Sequence, residues 1–236
     1  MTREERIEVL QAFSDLCDQA RACITSQPYR HTEIAFAEAE AKPVEIGSCD
    51  MAQLSLLVGS CQRCRLSEKR THTVFGEGAE HALLMVIGEG PGADEDATGR
   101  PFVGKSGHYL DTWLSPVGLS REKNVYIANI VKCRPPENRA PLPDEVSFCL
   151  PYVRRQVQLV KPQAILLCGA TAAHAMLSRI EGVGKLRGQT FQIEGIPSVV
   201  TYHPAGVLRN PSLKRDVWTD IKRIAAILHL PILRGR

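Results

Sequence analysis

A chain of 236 residues, 44% of them apolar, is long enough for one domain with a substantial core and an appendage. No apolar run approaches the roughly 18 residues of a membrane helix, and the opening Met1-Thr2-Arg3-Glu4-Glu5-Arg6 has no secretory apolar stretch, so a cytoplasmic location with reduced thiols is expected. The formal charge of +3 conceals a division, since residues 1–60 hold 5 Lys/Arg against 10 Asp/Glu and the remainder holds 24 against 16; that basic excess suits a polyanion without requiring one.

In chain order, Ile7, Leu10, Phe13, Leu16 and Ala20 recur at helical spacing and predict a helix over 3–24. Pro28, Pro43 and Gly47 interrupt the next stretch, so 26–50 reads as a linker, and 1–50 as an acidic N-terminal extension to a domain over 51–236. Such an arm suits a solvated helix, partial disorder or a protein partner. Beyond it, strands alternate with helices. Residues 82–88, 125–131, 164–168 and 196–202 are the apolar runs expected of strands buried on both faces of a parallel sheet. Helices are expected near 105–116, 143–160, 170–179 and 212–229. The expected fold class is α/β, a three-layer α/β/α arrangement with a central, mostly parallel sheet plus the N-terminal helical extension. Ligands of such sheets bind beyond the carboxyl ends of the strands, which is where Glu89, Asn129, Gly169 and His203 fall.

The chemistry-bearing residues cluster in a few runs. One turn of chain can aim the thiols of Cys61-Gln62-Arg63-Cys64 at a single metal, and Cys133 and Cys149 bracket 15 residues stiffened by Pro135, Pro136, Pro141 and Pro143. Four thiolates suit a tetrahedral zinc or a [4Fe–4S] cube, and spacing does not choose between them. Cys168, in an apolar strand, and Cys17 and Cys23, in the first helix, read as core residues.

Gly88-Glu89-Gly90-Pro91-Gly92 follows a strand, and its glycines would let backbone N–H groups approach a ligand. It has neither a Walker ending nor the dinucleotide spacing. With Asp94, Glu95 and Asp96 behind it, an acidic surface turn is the plain reading. Phe102 either fills the core or stacks on a flat ligand. Asn129 either caps a loop or offers a paired acceptor and donor to one edge of a base. Lys132, Arg134 and Arg139 either offset thiolate charge or touch phosphates. His203, held extended ahead of Pro204, suits an electrophilic donor. Val207 and Leu208 form a short apolar tip beside Arg209, of a kind that enters a base stack while the cation holds the backbone.

Taken jointly and in order, Cys61-x2-Cys64, Gly88-Glu89-Gly90-Pro91-Gly92-x2-Glu95-Asp96, Arg100-Pro101-Phe102-Val103-Gly104-Lys105-Ser106-Gly107, Asn129-Ile130-Val131-Lys132-Cys133-Arg134-Pro135-Pro136, Cys149 and His203-Pro204-Ala205-x-Val207-Leu208-Arg209 resemble the iron–sulfur-containing, family 4 uracil-DNA glycosylases over about residues 51–228. The resemblance implies a [4Fe–4S] cluster on Cys61, Cys64, Cys133 and Cys149. It implies a monomeric, monofunctional enzyme of base excision repair that flips uracil out of single- or double-stranded DNA, hydrolyses its glycosidic bond and leaves an abasic site. By the same resemblance Phe102 stacks on uracil, Asn129 pairs with O4 and N3–H, and His203 with the backbone N–H groups around Glu89 and Gly90 stabilises the anion developing at O2. Glu95, supported by Asp96, positions water or shapes the pocket; Val207 and Leu208 wedge the vacated stack; Arg209, Arg134 and Lys132 contact DNA. In the best-known uracil-DNA glycosylase family a water-activating aspartate stands at the place of Gly90 and a thymine-excluding tyrosine at that of Gly92, so this chain must do both jobs by other means.

Two other roles are compatible with these residues. Related chains that capture uracil-DNA covalently carry an inserted basic loop with an extra histidine, and none lies between Val131 and Cys149. A glycosylase for other deaminated bases, such as hypoxanthine or xanthine, is the second; Asn129 speaks for uracil.

Overall fold

The structure, a computed structural model, describes residues 46–233. The helix expected over 3–24 and most of the expected linker lie outside them. Among the described residues six strands form one sheet: β1 (Glu77–Gly78), β2 (Leu84–Gly88), β3 (Val125–Asn129), β4 (Ala164–Cys168), β5 (Thr190–Ile193) and β6 (Ile196–Thr201), in the spatial order β1-β3-β2-β4-β6-β5. β3, β2, β4 and β6 are mutually parallel, while β1 and β5 pair antiparallel at the two edges. β2, β3 and β4 are buried at every position, which is why they read as continuous apolar runs rather than alternating ones.

Strand parity sorts the two helical layers. Met85, Ile87, Ala128, Ile165 and Leu167 pack with α1 (Met51–Gly59), α4 (Pro143–Val160) and α5 (Ala170–Leu177). Leu84, Val86, Val125, Ile127 and Leu166 pack with α3 (Lys105–Leu114) and α8 (Lys214–Ile227). The expected α/β/α layering is thus observed. Three short helices complete it, namely α2 (Ala93–Thr98), α6 (Val183–Leu186) and α7 (Pro204–Arg209).

β4 matches the expected 164–168, the other three expected strands lose flanking residues, and the expected helices 105–116, 170–179 and 212–229 contract to α3, α5 and α8. The two edge strands are additions to the expected set, and neither carries a continuous apolar run. β1 has two residues, and β5 alternates exposed and covered positions because only one face meets the core. β5 joins β6 through Glu194 and Gly195, both at positive φ (50° and 79°), as a tight hairpin requires.

Register places the chemistry. Gly88 pairs with Asn129, so β2 and β3 end level and Glu89 emerges beside the Asn129 side chain. Gly169, at φ 96°, turns the chain so closely past β6 that an added Cβ would stand 3.1 Å from His203 Cβ.

Candidate active site and four-cysteine centre

At the carboxyl edge of the parallel strands lies a cleft of about 550 Å³, walled by Glu89, Gly90, Glu95, Phe102, Asn129, His203 and Arg209 among others. Residues expected to act together from four separate runs are therefore brought together. Asn129 is 2% exposed, and its Oδ1 is buried with no hydrogen-bond partner. An orphaned acceptor costs stability unless a ligand donor meets it.

Phe102 is buried and adopts φ 53°, an uncommon conformation for a bulky side chain. Its ring centroid lies 5.7 Å from that of His203, tilted by 34°. His203 is the N-cap of α7, and its Nδ1 accepts the Ala205 N–H at 3.2 Å. That bond places the neutral ring's proton on Nε2, leaving one N–H to donate. Burial, reinforced by the positive charge of Arg209 and opposed by Glu95, pushes the His203 pKa down to about 4, so the ring is neutral at physiological pH.

Glu95 turns its carboxylate inward. Oε1 accepts the Val103 and Gly104 N–H groups at 3.0 Å each, and Oε2 accepts that of Gly92 at 3.0 Å. Three of about four carboxylate acceptor positions are thereby used on backbone. The plain reading of 94–96 as an acidic surface turn is corrected, since these residues form the first turn of α2, where carboxylates are favoured by the helix dipole. Asp96 does not support Glu95: its buried Oδ1 accepts the N–H groups of Thr71 and His72, at 2.9 and 3.4 Å. The Thr171 hydroxyl donates to Glu89 Oε2 at the far wall.

Two DNA-contact expectations are corrected. Residues 204–209 wind into α7, which turns Val207 fully inward and leaves Leu208 45% exposed beside an exposed Arg209. Val207 is therefore a core residue, and the tip is Leu208 alone. Lys132 is 1% exposed; its ammonium donates to the Asn129 carbonyl at 3.0 Å and to Gln156 Oε1 at 2.7 Å, out of reach of phosphates. Arg134 keeps partial exposure and donates to Asn138 Oδ1 at 2.8 Å. Arg139 makes paired bonds of 2.7 and 2.8 Å to the wholly buried Glu145 carboxylate and so braces the proline-rich loop.

Cys61, Cys64, Cys133 and Cys149 line one cavity on the other helical layer. Donors point at three of the sulfurs: Arg70 Nη1 at Cys133 Sγ (3.2 Å), the Lys132 N–H at Cys149 Sγ (3.3 Å) and the Tyr152 hydroxyl at Cys61 Sγ (3.5 Å). Such donors suit sulfur carrying negative charge. Burial pushes the Cys149 thiol up to about 12 and also raises Cys64 and Cys133, so a metal bound there would displace protons from these three thiols. Among the described residues no three His, Cys, Asp or Glu side chains form a ready-made site for a metal ion. Arg70 carries no signal in the sequence because it adjoins no cysteine in the chain, and Tyr152, although three residues from Cys149, bonds Cys61 across 91 residues.

Among the described residues no helix is long and apolar enough to cross a membrane. Residues 75–222 match the model of the uracil DNA glycosylase superfamily. The chain is 41% identical to a type-4 uracil-DNA glycosylase of Pyrobaculum aerophilum, with 73% of this chain and 91% of the relative covered. It is 40% identical to one of Thermotoga maritima, with 75% and 94% covered. A type-5 uracil-DNA glycosylase of Pyrobaculum aerophilum matches at 31%, with 62% and 72% covered. The match over residues 75–222, together with identities of 40–41% over most of each relative, shows that the chain belongs to the uracil DNA glycosylase superfamily and, within it, to the type-4 uracil-DNA glycosylases.

Proposed function

We propose that the protein excises uracil from DNA by hydrolysing its N-glycosidic bond, leaving an abasic site for base excision repair. The observation that carries this reading is the buried, unpartnered Oδ1 of Asn129 in a cleft that also holds the Phe102 ring. Uracil supplies the missing donor through N3–H and an acceptor for the amide through O4. Cytosine presents the reverse pattern and would leave buried polar groups unpaired.

Extruding the base costs a few kcal/mol of unstacking. Leu208 fills the vacated stack and Arg209 and Arg134 hold the backbone. Phe102 stacks on uracil. As the bond lengthens, positive charge grows on the sugar and negative charge on uracil O2; the His203 Nε2–H and the backbone N–H groups near Glu89 and Gly90 stabilise the latter. Glu95 shapes the pocket through its three backbone bonds and keeps acceptor capacity to orient a water.

A [4Fe–4S] cluster on Cys61, Cys64, Cys133 and Cys149 is part of this proposal, supported by the shared cavity and the three donors aimed at its sulfurs. When bound it would supply a cross-link between the Cys61–Cys64 turn, Cys133 and the first half of α4, which carries Cys149. The protein acts as a monomer on single- or double-stranded DNA in the cytoplasm, at the nucleoid of a prokaryote. The experiment is incubation with a single-uracil oligonucleotide, followed by assay of free uracil and of alkali-labile scission. Both should appear; a folded protein that binds uracil-DNA and releases no base would support the binding role instead. Hypoxanthine and xanthine oligonucleotides test lesion breadth.

A further inference from the structure

We infer that Arg121 is a positioning residue for base excision, holding Phe102 in the backbone conformation that turns its ring into the cleft; this rests on the glycosylase reading above. Arg121 lies between α3 and β3, 19 residues from Phe102 in sequence, and its side chain is 10% exposed. Its Nη2 donates to the Phe102 carbonyl at 2.8 Å and its Nη1 to the Pro101 carbonyl at 3.1 Å. Every remaining N–H of the fork is also engaged. Nε and Nη2 reach Asp111 at 3.2 and 2.9 Å, and Nη1 reaches Glu77 at 3.3 Å. Glu77 in turn binds Arg100, at 2.8 and 3.0 Å, just ahead of the same loop.

The loop is gripped from both ends. Glu95 takes the two N–H groups after Phe102, while Arg121 takes the two carbonyls at and before it. Between them Phe102 sits at φ 53° with its carbonyl against the backbone of α3, where a Cβ on Gly107 would come within 1.7 Å of it. A conformation of this kind persists only where its surroundings over-determine it. A lysine carries the same charge but cannot span both carbonyls and both carboxylates.

The test compares Arg121→Gln and Arg121→Lys, each alone and with Phe102→Gly, by single-turnover uracil excision, thermal midpoint and amide exchange over residues 99–106. Arg121→Gln and Arg121→Lys should each slow excision by roughly 10- to 100-fold, the scale set by small misplacements of a reacting group. In the Phe102→Gly background the same changes should cost less than about twofold, because a residue acting only through the ring couples to it fully. Exchange at Val103 and Gly104 should accelerate while β2, β3 and β4 stay protected. An equal loss in both backgrounds, or an unchanged rate with unchanged exchange, would overturn the inference. If Arg121→Gln does not fold, Asp111→Asn loosens the guanidinium while leaving it in place, and the same coupling and exchange pattern are expected. A parent protein that releases no uracil would sink the glycosylase reading alone, since the exchange measurement still decides whether Arg121 holds the loop.

Discussion

Gly88 and Asn129 are register partners at the ends of β2 and β3, and the missing side chain of one is the space occupied by the other's amide. A Cβ on Gly88 would stand 2.5 Å from both Asn129 Oδ1 and Phe102 Cζ. The glycine is needed for close approach, and the Asn129 amide and the Phe102 ring converge only because it is there. Gly88→Ala should therefore lower excision by at least about tenfold, through a displacement of reacting groups, while the protein remains folded. Kinetics set against a thermal melt check this; full activity would mean that the pocket yields without cost.

On the proposed mechanism His203 sets the pH dependence. Its pKa is depressed to about 4, so the neutral ring, with Nδ1 accepting the Ala205 N–H, persists from neutrality down to that value. Protonation at Nδ1 ends that bond. The single-turnover rate should stay flat as pH falls from 8 through the ordinary histidine range, about 6.5, and decline only on approach to about 4. An inflection near the ordinary value, abolished in His203→Gln, would contradict the assignment.

Val207 and Leu208 should separate stability from DNA contact. Val207 is fully buried, so Val207→Ala should cost about 1–3 kcal/mol of stability with activity per folded molecule largely kept. Leu208 is 45% exposed, and Leu208→Ala should change stability by no more than about 0.5 kcal/mol. It should slow excision from duplex more than from single-stranded DNA, where there is no stack to replace. Denaturation curves beside rates on the two substrates check both halves.

If the proposed cluster is present, Cys64→Ala should lose its brown colour and folded protein together, because metal binding and folding are coupled. Iron and sulfide analysis, absorbance near the visible charge-transfer band and circular dichroism report the two losses separately. A well-folded, fully active, colourless variant would remove the cluster from the mechanism.

Much of the fold and the cleft is legible in the sequence because it depends on local pattern. The strands of the parallel core are continuous apolar runs, α4 spans the residues its pattern delimits, and Glu89, Asn129 and His203 stand at or just after the ends of strands whose carboxyl ends must share an edge. What stays hidden depends on distance or on helix phase. Arg121 reaches Phe102 across 19 residues, and Arg70 reaches Cys133 across 63. Lys132 sits in a run of cations that resembles a solvent-facing one, yet the chain turns it to a carbonyl and to Gln156, 24 residues on. The pair 207–208 reads as an apolar tip, and the step between successive residues of α7 buries Val207 while leaving Leu208 exposed.

If the cleft holding Asn129 and His203 breaks the glycosidic bond of uracil, both side chains must show in the rate of that step. The decisive experiment is the single-turnover rate of uracil release from one oligonucleotide by the parent, Asn129→Ala and His203→Ala, with enzyme in excess. Release by the parent and a fall of roughly 10²–10³ in each variant are expected, the scale of losing one donor to a developing anion or one reader of the base. Rates within about twofold of the parent in both folded variants would place the chemistry elsewhere.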